Sequence, residues 1–103
     1  MLKKDSQRQP THPGAILRND IYPELDMTQT ELARHLGISR QTLTQLLAEK
    51  RSLSHDMAIR LGKFLGNDPR FWMDLQLTYD LWHAEKKADN QKIIPFDQLS
   101  KSA

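Results

Sequence analysis

Four side chains on one short stretch, Arg40, Gln41, Thr44 and Gln45, have the types and the spacing to read hydrogen-bonding patterns. Residues three and four apart stand on the same side of a helix, so these four form one outward face that ends at Ala48. The face carries a forked cation, two amides and a hydroxyl beside a methyl, and it holds no carboxylate until Glu49. Those groups suit base-pair edges in a DNA major groove. Arginine forks onto guanine, glutamine pairs with adenine, and the threonine methyl touches that of thymine. The other candidates for chemistry are His12, His35, His55 and His83, which are far apart and share no ligand spacing such as H-x-x-x-H. No glycine-rich phosphate loop, nucleophile elbow or carboxylate constellation is present. No catalytic residue, metal ligand or cofactor is therefore expected.

A reading face needs a rigid support, and the run Gln29 to Leu46, QTELARHLGISRQTLTQL, has the pattern of one. Leu32, Ala33 and Leu36 repeat at helical spacing, and Leu43, Leu46 and Leu47 do so a turn later. Gly37 stops the first helix in a left-handed conformation that a residue without Cβ adopts cheaply. Ser39 caps the second, Ile38 plugs the inside of the corner, and Ala33 is small where the helices must cross. Helix, short glycine turn, helix is the description of a DNA-binding helix-turn-helix.

The remaining elements follow from punctuation along the chain. Residues 1–11 lack apolar periodicity and read as a flexible N-terminal arm. His12-Pro13-Gly14 starts a first helix, which Pro23 is expected to end at Tyr22. Thr28 and Glu31 form a capping box for the second helix, the third runs from Ser39 to about Ala48, and Ser54 caps a fourth that Gly66 closes. Gly62 inside that fourth helix predicts a close approach by a neighbour. Asp68-Pro69 opens a fifth helix to about Ala88, and residues 89–103 form a C-terminal tail. The result is an all-α bundle of five helices, with the functional domain over residues 12–88.

The last helix carries two apolar stripes. Phe71, Trp72, Leu75, Tyr79 and Trp82 make a core stripe, while Met73, Leu77, Leu81 and Ala84 fall on a separate arc, divided from it by Asp74, Thr78, Gln76 and Asp80. A chain of 103 residues has no second core for that arc to serve. Either a second copy covers it, giving a homodimer, or the tail folds back over it. Ile93 to Phe96 reads as a short strand, a docking segment or a loosely ordered end.

The formal net charge is only +2, but it is unevenly placed. Between Arg34 and Lys63, six basic residues (Arg34, Arg40, Lys50, Arg51, Arg60, Lys63) oppose Glu49 and Asp56. The positive zone is centred on the reading unit, where phosphate attraction requires it, with Lys50 and Arg51 just beyond the reading helix. There is no cysteine and no apolar run long enough to span a bilayer or to serve as a signal core, which fits a cytoplasmic protein.

From His12 to about Leu81 these residues add up to a resemblance. The chain is similar to HigA-type antitoxins, a VapI-like branch of the Xre, or Cro/C1-type, helix-turn-helix regulators, whose fold is of the lambda-repressor-like kind. The matching segments are His12-Pro13-Gly14, TQTELARHLGISRQTLTQLL, LSHDMAIRLGKFLG and FWMDLQLTYDLW, the last containing Trp72, Leu75, Gln76, Tyr79, Asp80 and Leu81. The resemblance implies a cytoplasmic homodimer that binds a palindromic operator in its own promoter. It further implies neutralisation of a HigB-type toxin, a small mRNA endonuclease. Base-reading positions carry over to Ser39, Arg40, Gln41, Thr44 and Gln45, with Gln29 as a backbone contact. Where the family usually has glycine, this chain has Glu49. The other reading is a stand-alone regulator or protein-interaction module without a toxin partner.

Overall fold

The computed structural model describes residues 8–87 and 92–99. Most of the expected N-terminal arm, the helix end expected at Ala88 and much of the tail lie outside the described residues. The first helical run begins where its motif predicts. His12 stands in extended backbone, its Nδ1 accepts a hydrogen bond from the Gly14 amide at 2.8 Å, and Pro13 follows at the first helical position. The run consists of α1 (Pro13–Ile16), a π-helical turn (Leu17–Ile21) and α2 (Tyr22–Leu25).

Pro23 does not end this helix. The Tyr22 amide reaches back five residues to the Leu17 carbonyl, so the wide turn resets the register. Pro23 then enters the first turn of the next segment, where a missing amide proton costs nothing. The chain leaves the helix at Asp26, in left-handed backbone with φ 52°.

Next come α3 (Gln29–Leu36) and α4 (Arg40–Leu47), then α5 (His55–Leu65), α6 (Pro69–Lys87) and the short α7 (Phe96–Leu99). Among the described residues there is no strand. The core is one cluster drawn from all the earlier elements, with Leu17, Leu32, Leu43, Leu61 and Trp72 fully buried at its centre. Each such leucine contributes about 1.5–3 kcal/mol through removal of apolar surface from water. Glycines allow the closest crossings. A Cβ on Gly14 would collide with the Leu46 carbonyl oxygen, so the first helix meets α4 backbone to backbone. A Cβ on Gly62 would lie 2.6 Å from the Asn67 carbonyl oxygen and 3.3 Å from Pro69 Cδ, which makes the turn into α6 the neighbour that this glycine admits.

The inward stripe of α6 differs from expectation. Trp72 is its anchor, with Nε1 donating to Asn67 Oδ1 at 3.2 Å, but Phe71 is 45% exposed. Gln76, expected among the polar dividers, is 3% exposed. The reason is an unpaired backbone donor: the Leu53 amide, in the loop before α5, donates to Gln76 Oε1 at 2.7 Å, and Gln76 Nε2 donates to Asp80 at 2.8 Å. A buried amide without that partner would cost about 1–3 kcal/mol.

Candidate nucleic-acid interface

The two helices of the reading unit are capped at both ends. At α3, the Glu31 amide donates to Thr28 Oγ1 at 3.1 Å and the Thr28 amide to Glu31 Oε1 at 2.8 Å, which is the expected capping box. The Thr28 amide, as donor to it, holds the Glu31 carboxyl below the usual carboxylate range. Gly37 then adopts φ 71°, with its own amide on the Arg34 carbonyl and that of Ile38 on Ala33. Ser39 Oγ accepts from the Thr42 amide at 3.0 Å and donates to Thr42 Oγ1 at 2.9 Å. The Ser39 hydroxyl is therefore occupied in starting α4.

The structure sorts the remaining candidates into pairs and free groups. Gln29 and Thr44 meet across the two helices, Thr44 Oγ1 donating to Gln29 Oε1 at 3.2 Å. Gln45 and Arg51 also meet, Oε1 of the amide accepting from Nε at 3.2 Å and Nη2 at 3.0 Å. Arg40, Gln41 and Lys50 are exposed. Apart from Ser39, then, all these positions lie on or beside one outward face of α4. Arg60 is not available to it. Its Nε pairs with Asp56 at 2.7 Å and its Nη1 donates to the Leu36 and Gly37 carbonyls, so its charge closes the end of α3.

Two participants were not evident from periodicity. Arg18, on the π turn, donates through Nη1 to the Leu47 carbonyl at 2.6 Å and pairs with Glu49 at 3.2 Å. It therefore closes the C-terminal end of α4, where Glu49 occupies the left-handed region at φ 63°. The amides of Glu49 and Lys50 return to Leu46 and Gln45, the same geometry that Gly37 makes for α3. A left-handed glutamate costs about 1–2 kcal/mol, offset in part by the salt bridge to Arg18. The second is His12, whose ring sits edge-on to Tyr79 of α6 at 4.9 Å. Burial holds His12 below the ordinary histidine range, against the opposing pull of Glu49. Only the His-Pro-Gly motif marked this residue, and nothing local marks Arg18.

The other predicted surface is the outer face of α6. Leu77 and Leu81 are 56% and 51% exposed and Ala84 is exposed, while Met73 is partly packed on the core. No described helix is long and apolar enough to cross a membrane, and no described group of three or more acidic, cysteine or histidine side chains could hold a metal ion.

Two capped helices joined by a glycine corner, with donors and acceptors outward and leucines inward, define a DNA-reading helix-turn-helix. Residues 18–72 match the helix-turn-helix family, and the chain belongs to it, in its Xre-type, HigA-like branch. The antitoxin HigA of Pseudomonas aeruginosa, solved with the higBA promoter, is 40% identical, with a TM-score of 0.77 over 84% of this chain and 98% of that one. An addiction-module antidote protein of the HigA family from Coxiella burnetii is 37% identical, with a TM-score of 0.78 over 86% of this chain and 100% of its own. The HTH-type transcriptional regulator YbaQ of Escherichia coli is 36% identical over 89 residues, 86% of this chain and 79% of its own length.

Proposed function

We propose that this protein is the antitoxin of a type II toxin–antitoxin module, a dimeric repressor of its own operon that also neutralises a small mRNA endonuclease. The observation that carries this is the α4 face: Arg40, Gln41, Thr44 and Gln45 outward on a fully capped helix, in a chain similar to a HigA solved with its promoter. Two copies joined through Met73, Leu77, Leu81 and Ala84 present two α4 helices about 34 Å apart, one helical turn of a palindromic operator. Arg40, Gln41, Thr44 and Gln45 read bases, Gln29 and Lys50 hold the phosphate backbone, and Arg51 stands beside Gln45 at the edge of that face.

Fluorescence anisotropy with the gene's own upstream DNA, at two salt concentrations and against a scrambled competitor, tests the reading. Tight, salt-sensitive binding that the scrambled duplex cannot match is the expected result; equal binding to both would overturn it. The similarity to YbaQ favours a second reading, a regulator without a toxin. An adjacent reading frame of about 100 codons, whose product co-purifies with this protein, separates the two.

A further inference from the structure

Glutamine recognises adenine by two bonds, its carbonyl oxygen accepting from N6 and its amide donating to N7. Gln45 cannot make the first of them as it stands. Its Oε1 already accepts from Arg51 Nε at 3.2 Å and Nη2 at 3.0 Å, and a carbonyl oxygen has two lone pairs. Arginine has only donors, so the group that faces it must be the oxygen. What Gln45 presents outward is therefore an NH2 group with two donors and no acceptor. Guanine offers two acceptors side by side, N7 and O6, while adenine sets an N6 donor beside its single N7 acceptor. We infer that Arg51 converts Gln45 into a donor-only reader that selects a G·C pair, at a position where an unrestrained glutamine would select A·T.

The inference rests on the DNA-binding reading above and adds a specificity rule to it. The loop geometry supports it. Glu49 turns the chain back in left-handed backbone, and the Lys50 amide bonds to the Gln45 carbonyl at 2.8 Å. Arg51 thus follows directly on a turn that is tied back to the last turn of α4. In a groove emptied of water, a hydrogen bond from a guanidinium strengthens, because less solvent competes for it. Gln41, one turn earlier, has no side-chain partner among the described residues and keeps both halves of its amide for adenine. Thr44 has committed its hydrogen to Gln29 at 3.2 Å, which leaves its methyl for thymine.

The test is selection of operator duplexes randomised at each base pair, using the full-length protein and its Gln45→Ala, Gln45→Glu and Arg51→Ala variants. The pair whose preference disappears in Gln45→Ala is the one Gln45 contacts. There, the wild type is expected to favour G·C over A·T roughly tenfold, the low to middle range for one good contact. Gln45→Glu keeps the partner for Arg51 but has no donors, and is expected to lose the G·C preference. Arg51→Ala frees Oε1 and is expected to reverse the preference to A·T at that pair alone. An A·T preference in the wild type, a Gln45→Ala variant unchanged at every position, or an Arg51→Ala variant that only weakens all sequences equally would each overturn the inference. A wild type with no preference over scrambled DNA would instead overturn the DNA-binding reading, and this inference with it.

Discussion

Between Gln29 and Leu47 the inward leucines are at most 4% exposed, whereas on the outer arc of α6 Leu77 and Leu81 leave 56% and 51% of their surface open. The same residue type, at the same helical spacing, meets two different ends. In the reading unit, short helices cross near Ala33 and Gly14, so every apolar side chain finds a partner within the chain. Along α6 the core reaches only one side, through Trp72 and the buried Gln76. The contrast teaches that a single copy completes the reader but leaves the long helix with an unpartnered apolar edge.

The sharpest way to break this comparison is to remove a leucine from each region. Leu46→Ala, at a site 1% exposed, is expected to cost about 2–5 kcal/mol by creating a cavity, read as a lower midpoint in denaturant. A loss under about 1 kcal/mol would show that α4 is only loosely held. Leu77→Lys is expected to leave the helical signal intact while sedimentation changes from dimer to monomer and operator affinity falls at least tenfold. A variant that still sediments as the wild type does would assign dimerisation to another surface.

His12 joins the two regions: its ring is edge-on to Tyr79 on α6, and Gly14, to which it is bonded, packs on the Leu46 backbone of α4. Burial penalises the charged ring, so in the folded protein its pKa is lowered from 6.5. The unfolded chain then binds the proton first, and stability falls as pH drops below 6.5 toward the folded value. His12→Asn keeps a side chain able to cap the helix and is expected to flatten that decline in thermal melts. A decline of unchanged steepness would place its origin at other groups.

The smallest effect is expected at Glu49. Replacing it with glycine relieves about 1–2 kcal/mol of left-handed strain and removes an exposed ion pair worth roughly 0.2–1 kcal/mol, so stability should rise by less than about 2 kcal/mol. The informative readout is DNA. Without Glu49, Arg18 is free to reach phosphate, and the salt slope of operator binding should steepen by about one unit. An identical slope would show that Arg18 stays on the Leu47 carbonyl.

Much of the frame was legible because its signals are local. Thr28 with Glu31, Gly37 with Ser39, and Ser54 with Gly66 each close a helix end through bonds spanning only a few residues. Pro23 was misread for a related reason: a proline's effect depends on the hydrogen-bond register it enters, and the π turn at Leu17–Ile21 had already shifted that register. Phe71 and Gln76 were misassigned because a wheel of one helix cannot show that the Leu53 amide, 23 residues away, needs an acceptor. Of the candidate site, residue types and spacing identified the face of α4, while the state of each side chain on it was invisible.

From its sequence alone, then, this chain determined an all-α frame, a helix-turn-helix with Arg40, Gln41, Thr44 and Gln45 outward, and an apolar arc on α6. Those follow from the 3.6-residue period and from caps that bond within one or two turns. Tertiary structure decided which of those polar groups are still free. Arg18 reaches Leu47 across 29 residues, Thr44 reaches Gln29 across 15, and Arg51 occupies the Gln45 oxygen. Such pairings depend on how separate elements pack together, and no periodicity along the chain encodes them.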